Sequence, residues 1–197
     1  LPIVKDQPVE AFQNATRASL GDTYSFMLDD IKKALEYNEE AGSPSLQYFF
    51  LNKAAIYALK ARVCLYMGNY ADAEAAAKKA IELKGKGNAT YTDLTPNNET
   101  YLTMWASLNP SDEDIFTLSK TTDDNLSANA LNTLWGSYYG KVSTYGQSFF
   151  SDTDVRTQLI GEVNGNSPAS MKWQGIESSQ ATSNIPIFRK SEMALII

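Results

Sequence analysis

Alanine is concentrated in one part of the chain, at a spacing that suits helices packed close together. These alanines recur three or four positions apart, so that they share helix faces: Ala54, Ala58, Ala61, Ala73, Ala76, Ala77 and Ala80. Side chains this small allow two helix axes to approach closely. Asn52 and Asn69 are good N-caps, and Gly68 suits the left-handed residue that ends a helix. The pattern therefore predicts two antiparallel helices in a closely packed hairpin.

Another helix is predicted before this hairpin. Apolar residues recur at helical spacing from Tyr24 to Leu35, which gives one apolar stripe. Ser19 and Asp22 fit a capping box at the start of this helix. The sequence Gly42-Ser43-Pro44 is expected to end it, because glycine and proline both interrupt helices.

The second half of the chain has a different character. Helical periodicity fades, and glycine, asparagine, serine and threonine separate scattered aromatic residues. We predict a short strand or buried turn at residues 113–118, one helix at 126–139 and part of another at 155–160. Residues 161–184 are expected to form a loop, with 171–173 as a short extended piece.

These elements together predict a helical first part, in which residues 61–83 resemble a tetratricopeptide repeat, and a loop-rich second part. The helical part is expected to occupy residues 1–90, and the loop-rich part residues 91–197 of the same domain. The hairpin amounts to about one and a half repeats, too few for a free-standing solenoid, because each repeat buries its apolar face against a neighbour.

Missing residue types exclude several classes of site. Histidine is absent and Cys64 is the single cysteine, which excludes Ser-His-Asp and Cys-His catalysis, zinc held by His or Cys, and internal disulfides. Cys64 lies in an apolar helical run and is expected to be a small buried hydrophobe. With 17 basic and 23 acidic residues the net charge is −6, without a basic cluster, so nucleic acid is not an expected partner. We predict no cofactor and no catalytic residue.

Both ends of the sequence are expected to be non-native. The chain begins at Leu1 without a methionine and stops in the apolar run Met193-Ala194-Leu195-Ile196-Ile197. No apolar run approaches the roughly 20 residues that a membrane-spanning helix needs. We therefore expect a segment of a longer protein.

Several motifs resemble the SusD/RagB family of outer-membrane lipoproteins, in the same order along the chain. The stretch from Asn52 to Tyr70 is the most recognisable, and the stretch from Thr16 to Leu35 resembles the first helix of the family. Further similar motifs are Glu113-Asp114-Ile115-Phe116, the turn with Asp152, Asp154 and Arg156, the segment Pro186-Ile187-Phe188-Arg189, and the helix start Ser191-Glu192-Met193. The resemblance extends over almost the whole chain.

The resemblance implies a non-enzymatic protein that binds a glycan, or in some members a peptide, at the bacterial cell surface. It also implies docking onto a TonB-dependent transporter of the SusC type. Membrane association would come from an N-terminal lipid anchor that is absent from this chain, and the location would be the outer membrane. The fold that the resemblance implies is mainly α, with tetratricopeptide-like helical hairpins packed against a loop-rich irregular region. The helices would form the scaffold and the transporter-facing surface, and the loop-rich region of residues 91–197 would build the ligand site.

The aromatic residues of the second half are the candidate ligand-binding residues. A sugar binder needs flat apolar faces for the C–H surfaces of pyranose rings, and polar groups for the hydroxyls. The candidates are Trp105, Trp135, Tyr138, Tyr139, Tyr145 and Trp173. The alternative interpretation is that these rings are core residues, since tryptophan and tyrosine bury large areas.

The charged residues of the second half are predicted to form caps, turns and ion pairs. The sequences Asp123-Asp124-Asn125 and Asp152-Thr153-Asp154 carry the oxygen ligands that calcium prefers, but neither has EF-hand spacing. We interpret them as caps and turns. Arg156 and Arg189 are interpreted as ion-pair partners rather than ligand clamps.

Two alternative functions remain open. A tetratricopeptide-like interaction module would bind peptide in a helical groove formed between Asp29 and Lys79. A carbohydrate-active enzyme would need two carboxylates at a fixed separation, and the sequence singles out no such pair.

Overall fold

The computed structural model describes residues 2–3, 16–38, 48–84, 98–106, 108–173 and 182–197. In chain order, its helices and strands are α1 (Leu20–Tyr37), α2 (Lys53–Tyr66), α3 (Tyr70–Lys84), α4 (Asn98–Ala106), β1 (Asp114–Leu118), α5 (Leu131–Gly136), α6 (Thr144–Gln147), β2 (Ile160–Val163), β3 (Asn166–Ser170), β4 (Ile185–Arg189) and α7 (Lys190–Ile196). The predicted mainly α fold class is confirmed. None of the helices in these ranges is both long enough and apolar enough to cross a membrane.

The chain divides into two compact units. The first contains Leu1–Gln47, Leu51–Gly85 and Lys190–Ile197, and the second contains Tyr48–Phe50 and Lys86–Arg189. The predicted boundary at residue 90 lies outside the described residues and stays a prediction.

The predicted helical hairpin is confirmed in the first unit, where α2 packs against α3. The alanines at its centre are fully buried: Ala55, Ala58, Ala61, Ala77 and Ala80. The Asn52 side chain accepts a hydrogen bond from the backbone N–H of Ala55 at 2.9 Å, as an N-cap does. Gly68 has a φ of +75°, the left-handed conformation predicted for the turn. Cys64 is buried as predicted, and burial raises the pKa of its thiol.

Helix α1 begins as predicted and ends earlier than predicted. The Ser19 hydroxyl accepts from the backbone N–H of Asp22 at 3.0 Å, which caps the helix. The helix ends at Tyr37, before Gly42, because Asn38 takes an extended backbone and its side-chain amide donates to the carbonyl of Leu51 at 2.9 Å.

Two contacts attach α1 and α7 to the hairpin. Ile31 of α1 forms a buried apolar cluster with Ile56 and Val63 of α2. The predicted helix start at the end of the chain is confirmed as α7, in which Glu192 accepts two hydrogen bonds from Arg62 of α2, both of 2.6 Å. Both contacts join elements that are distant in sequence.

In the second unit, residues 113–118 were predicted as a short strand or a buried turn, and the structure has the strand, β1. It pairs with β4 in an antiparallel ladder, in which Phe116 lies opposite Phe188. Ile115 and Thr117 are buried, and the backbone N–H of Thr117 donates to the carbonyl of Tyr48 at 2.8 Å. The segment that holds Tyr48 therefore covers the other edge of β1.

The one helix predicted within residues 126–139 is confirmed as α5, which is shorter than this range and follows a 3-10 turn at Ser127–Asn129. Ser127 has a φ of +45°, and Ala130 is extended with a ψ of 144°, so the backbone cannot continue as one helix. The helix predicted at residues 155–160 is a 3-10 helix at Val155–Leu159.

The loop predicted at residues 161–184 is wrong over its first part, where β2 and β3 form an antiparallel hairpin. Asn164 and Gly165 have φ values of +51° and +74°, as the central residues of a type I′ turn do. Residues 171–173 form a turn rather than the extended piece that the sequence predicts.

Candidate functional site

The two tryptophans Trp105 and Trp173 lie together, although 68 positions separate them in the sequence. Their ring centroids are 4.9 Å apart and the rings meet edge to face at 82°. Tyr101, one turn earlier on α4, lies edge to face with Trp105 at 6.1 Å. Trp105 is only 6% exposed, so it is a buried member of this cluster.

Two positively charged side chains lie over the buried Trp105 ring. The ammonium of Lys172 is 4.3 Å from the ring centroid, and the guanidinium carbon of Arg189 is 5.2 Å from it. Such cation–π contacts are strongest when the cation is partly desolvated. Burial, followed by the charges of Arg189 and Arg156, holds the pKa of Lys172 below its usual value. Arg189 has no ion-pair partner among the described residues.

A cleft of about 270 Å³ opens beside Trp173 and is called the Trp173 cleft here. Its lining comprises Leu126, Asn129, Ala130, Leu131, Asn132, Trp173, Ser183, Asn184, Ile185 and Pro186. The volume is close to the lower end of the roughly 300–1,000 Å³ typical of small-molecule sites. An apolar wall with amide and hydroxyl groups at intervals suits a small ring that carries hydroxyls.

The polar group of Asn184 is fixed in place by the backbone around it. Its amide nitrogen donates to the carbonyl of Leu108 at 2.6 Å, and its oxygen accepts from the backbone N–H of Lys120 at 2.9 Å. Asn184 therefore shapes the cleft and holds its walls together.

The second candidate surface is a run of exposed aromatic rings on residues 138–149. The exposed fractions are 59% for Tyr138, 66% for Tyr139, 74% for Tyr145 and 65% for Phe149. Tyr145 and Phe149 stack edge to face with centroids 4.7 Å apart. Rings this exposed contribute little to a core, so the core interpretation does not explain them.

Buried polar contacts hold this aromatic segment in place. The amide nitrogen of Asn166, on β3, donates to the carbonyls of Trp135 and Gly140, each at 2.7 Å. The backbone N–H of Val142 donates to the carbonyl of Pro168 at 2.8 Å. Ser143 caps α6 by accepting from the backbone N–H of Gly146 at 3.0 Å.

Trp135 lies beside this surface as a half-buried residue of α5. A Cβ atom at Gly140 would lie 3.3 Å from its ring atom Cε3 and 3.1 Å from the carbonyl oxygen of Leu134. Gly140 therefore allows the chain to pass close against the indole, which supports a packing role for Trp135.

Two of the candidate aromatics have a backbone conformation that bulky residues rarely adopt. Tyr139 and Trp173 each have a φ of +55°. For a residue with a large side chain this conformation is an outlier, and such strain gathers at ligand-binding sites. The strained tyrosine is on the exposed aromatic segment and the strained tryptophan lines the cleft.

The acidic sequences of this unit form turns and ion pairs. Asp154 caps the 3-10 helix and holds the guanidinium of Arg156, which lowers the pKa of Asp154 to about 2. The ion-pair interpretation of Arg156 is thus confirmed. The carboxylate of Asp124 accepts from the ammonium of Lys120 at 3.2 Å. In the described ranges no three His, Cys, Asp or Glu side chains are grouped as metal ligands.

Sequence reasoning identified most of the aromatic candidates but missed their neighbours. Phe149 was outside the predicted set, and so were the cations Lys172 and Arg189. Helix α4, which carries Trp105, was not predicted. The position of Lys172 directly before Trp173 was visible in the sequence, but its contact with Trp105 depends on the fold.

Comparison with known proteins gives matches among solved structures. A SusD superfamily protein from Bacteroides thetaiotaomicron VPI-5482 matches 99% of this chain with a TM-score of 0.73 and 22% identity. A SusD superfamily protein from Bacteroides vulgatus ATCC 8482 matches 95% with a TM-score of 0.73 and 22% identity. A SusD-like carbohydrate binding protein from the same organism matches 91% with a TM-score of 0.66 and 20% identity. Neither a protein-family model nor a curated protein matches the sequence.

The chain covers less than half of each of these structures: 45%, 43% and 39% of their lengths. The match nevertheless includes nearly every residue of this chain. The predicted resemblance is therefore confirmed in its fold, and the chain has the fold of part of a SusD superfamily protein.

Proposed function

We propose that this chain is part of a SusD/RagB-type protein that binds a glycan at the surface of the outer membrane, without catalysis. It would deliver the glycan to a TonB-dependent transporter of the SusC type. The observation that carries the proposal is the SusD fold over 99% of the chain. One structure with this fold is described as a carbohydrate binding protein.

The aromatic surfaces support sugar binding as the chemistry of the proposed function. Pyranose rings present apolar C–H faces, and these pack well against flat aromatic rings that keep a polar edge in water. The exposed rings of Tyr138, Tyr139 and Tyr145 have this character, and so does Trp173 at its cleft. We assign Trp105 a supporting role, because it is buried beneath Lys172 and Arg189.

Two acidic residues of the unit are held in ion pairs, which favours binding over hydrolysis for these two. A glycosidase needs two carboxylates that flank the scissile bond, one of them with a raised pKa. Asp154 is held in a salt bridge that lowers its pKa, and Asp124 is paired with Lys120. Both carboxylates have structural roles.

A glycan array with matched variants tests this proposal. We expect saturable binding of the full chain to one glycan class. The Trp173→Ala variant should weaken binding by roughly tenfold or more, since the loss of one large aromatic contact is worth about 1.4 kcal/mol or more. Tyr37→Ala is the control, because this exposed tyrosine lies in the other unit and should leave affinity unchanged. Failure of the full chain to bind any glycan would contradict the proposal.

The strain at Tyr139 gives a prediction in which stability and binding change in opposite directions. Tyr139→Gly should stabilise the fold by about 0.5–1 kcal/mol, because relief of roughly 1–2 kcal/mol of left-handed strain exceeds the entropy cost of glycine. The same variant should bind glycan more weakly. Urea unfolding and a glycan titration measure the two effects.

Tyr138→Gly is the matched control for this experiment. Tyr138 is similarly exposed but is not among the described residues with positive φ, so glycine there should lower stability. If Tyr139→Gly keeps full affinity, Tyr139 is not part of the ligand site.

A second candidate function is peptide binding by the helical hairpin. Apolar side chains at the turn between α2 and α3 are exposed, with Tyr66 and Tyr70 the most prominent. Exposed apolar groups of this kind mark interaction surfaces. Peptide capture that is lost in Tyr66→Ala and survives Trp173→Ala would favour this function.

A further inference from the structure

Two positively charged side chains contact the Trp105–Trp173 cluster, and no described acidic residue forms an ion pair with either of them. Lys172 follows β3 and Arg189 ends β4, yet both cations converge on the same buried indole. Both side chains are half-buried. A partly desolvated cation normally has an anionic partner, because burial disfavours the charged form.

Lys172 and Arg189 have no such partner in the part of the chain that the structure describes. The ion pairs among the described residues are formed by other cations, namely Lys33, Arg62, Lys78, Lys79, Lys120 and Arg156. The surroundings of Lys172 are themselves positive, since the charges of Arg189 and Arg156 both act to lower its pKa. This local excess occurs in a chain whose net charge is −6.

Asp114, the acidic residue opposite Arg189, is already engaged elsewhere. Asp114 lies opposite Arg189 in the β1–β4 ladder, and both residues line a small cavity of about 30 Å³. One carboxylate oxygen of Asp114 accepts from the backbone N–H of Ser111 at 2.7 Å and from its hydroxyl at 3.2 Å. No ion pair forms between Asp114 and Arg189.

A buried hydrogen-bond donor in the cluster also lacks a described partner. The indole Nε1–H of Trp105 is buried and has no acceptor among the described residues. Trp105 lines the small cavity together with Arg189 and Trp173. Buried donors are nearly always satisfied, so an unsatisfied one next to two unpaired cations indicates an acceptor from outside the described residues, such as a bound ligand.

We propose that this cluster binds the anionic group of an acidic glycan, a carboxylate or a sulfate ester, with Lys172 and Arg189 as the binding cations. The proposal rests on the proposed function and specifies its ligand class. Guanidinium and ammonium groups form strong charge-assisted hydrogen bonds with such oxyanions. Trp173 lines both the small cavity and the larger Trp173 cleft, so the anionic group and its sugar ring would lie on either side of one indole.

The test compares acidic polysaccharides with uncharged counterparts on the full chain. One pair is polygalacturonate and its methyl ester, and the other is dextran sulfate and dextran. We expect the acidic member of at least one pair to bind roughly tenfold tighter or more, as one charge-assisted contact allows. The first pair identifies a carboxylate and the second identifies a sulfate. Because the chain has a net charge of −6, it repels polyanions in general, so nonspecific attraction does not explain such a preference.

Variants assign the selectivity to the cluster. Lys172→Met and Arg189→Met should each reduce the preference for the acidic member, while Lys172→Arg should keep it. Lys172→Met should change the melting temperature little, because removal of a charge that burial and two arginines disfavour offsets the loss of its contact with the Trp105 ring. It therefore tests the site even if Arg189→Met does not fold.

The outcomes separate this inference from the proposed function. Equal affinity for acidic and uncharged members overturns the inference and leaves glycan binding intact. A preference for acidic polymers that survives Lys172→Met and Arg189→Met also overturns it, because the anion then binds elsewhere. If the chain binds no glycan of either kind, here or on the array, both proposals fail.

Discussion

Replacing Ile56 with alanine is expected to destabilise the first unit by about 2–5 kcal/mol, the range for large-to-small changes in a packed core. Ile56 is 2% exposed and joins Ile31 of α1 to the α2–α3 hairpin. Domains of this size have total stabilities of about 5–15 kcal/mol, so the loss is a large fraction. Urea unfolding followed by circular dichroism measures it, and the loss of α1 packing should appear as reduced helix content.

Tyr66→Ala is the control on the same helix. Tyr66 is 75% exposed, so its removal should change stability by no more than about 0.5 kcal/mol. If the two variants unfold at the same urea concentration, the described cluster of Ile31, Ile56 and Val63 does not hold α1 in place.

Breaking the ion pair between Arg62 and Glu192 is expected to produce the second large loss of stability. The pair is bidentate, with two hydrogen bonds of 2.6 Å, and its side chains are 34% and 32% exposed. The bond to Glu192 raises the pKa of Arg62. Exposed pairs contribute about 0–1 kcal/mol, while removal of one partner from a buried pair costs about 3–5 kcal/mol. The free energy that this partly buried, bidentate pair contributes is expected to fall between those two ranges. Arg62→Met or Glu192→Met should therefore lower the free energy of unfolding by about 2 kcal/mol.

The double variant distinguishes the ion pair from the packing of the two side chains. Each single variant leaves a half-buried charge without its partner, whereas Arg62→Met combined with Glu192→Met removes both charges. The double variant should therefore be more stable than the sum of the single effects predicts, by about 1 kcal/mol or more. Strict additivity in urea unfolding would show that the two side chains do not interact.

The parts of the fold that local sequence determines were predicted well. Asn52 and Gly68 set the ends of α2 through a cap and a left-handed residue, and both act within four positions. The hairpin of β2 and β3 was missed although its signal, Asn164-Gly165, is local. The residues around it lack the alternating apolar pattern that usually marks strands, and Gly, Asn and Ser make up six of the eleven residues from 160 to 170.

The candidate site could be predicted from sequence only as a list of residue types. The exposed tyrosines of residues 138–145 are close in sequence, so their grouping follows from composition. The contact between Trp105 and Trp173 joins an unpredicted helix to a turn after β3, and no spacing rule relates them. The charges over Trp105 depend on the same long-range contacts, which explains why Arg189 was interpreted as an ordinary ion-pair partner.

Asn166 has a consequence for how readily the aromatic surface can change during evolution. Its side-chain amide donates hydrogen bonds to the backbone carbonyl oxygens of Trp135 and Gly140. Every residue has a backbone carbonyl, so these hydrogen bonds do not depend on the side chains at those two positions. Substitutions in the exposed residues between 141 and 149 therefore leave this anchor intact. We therefore expect the segment to accept such substitutions without any change in the β2–β3 hairpin that holds it.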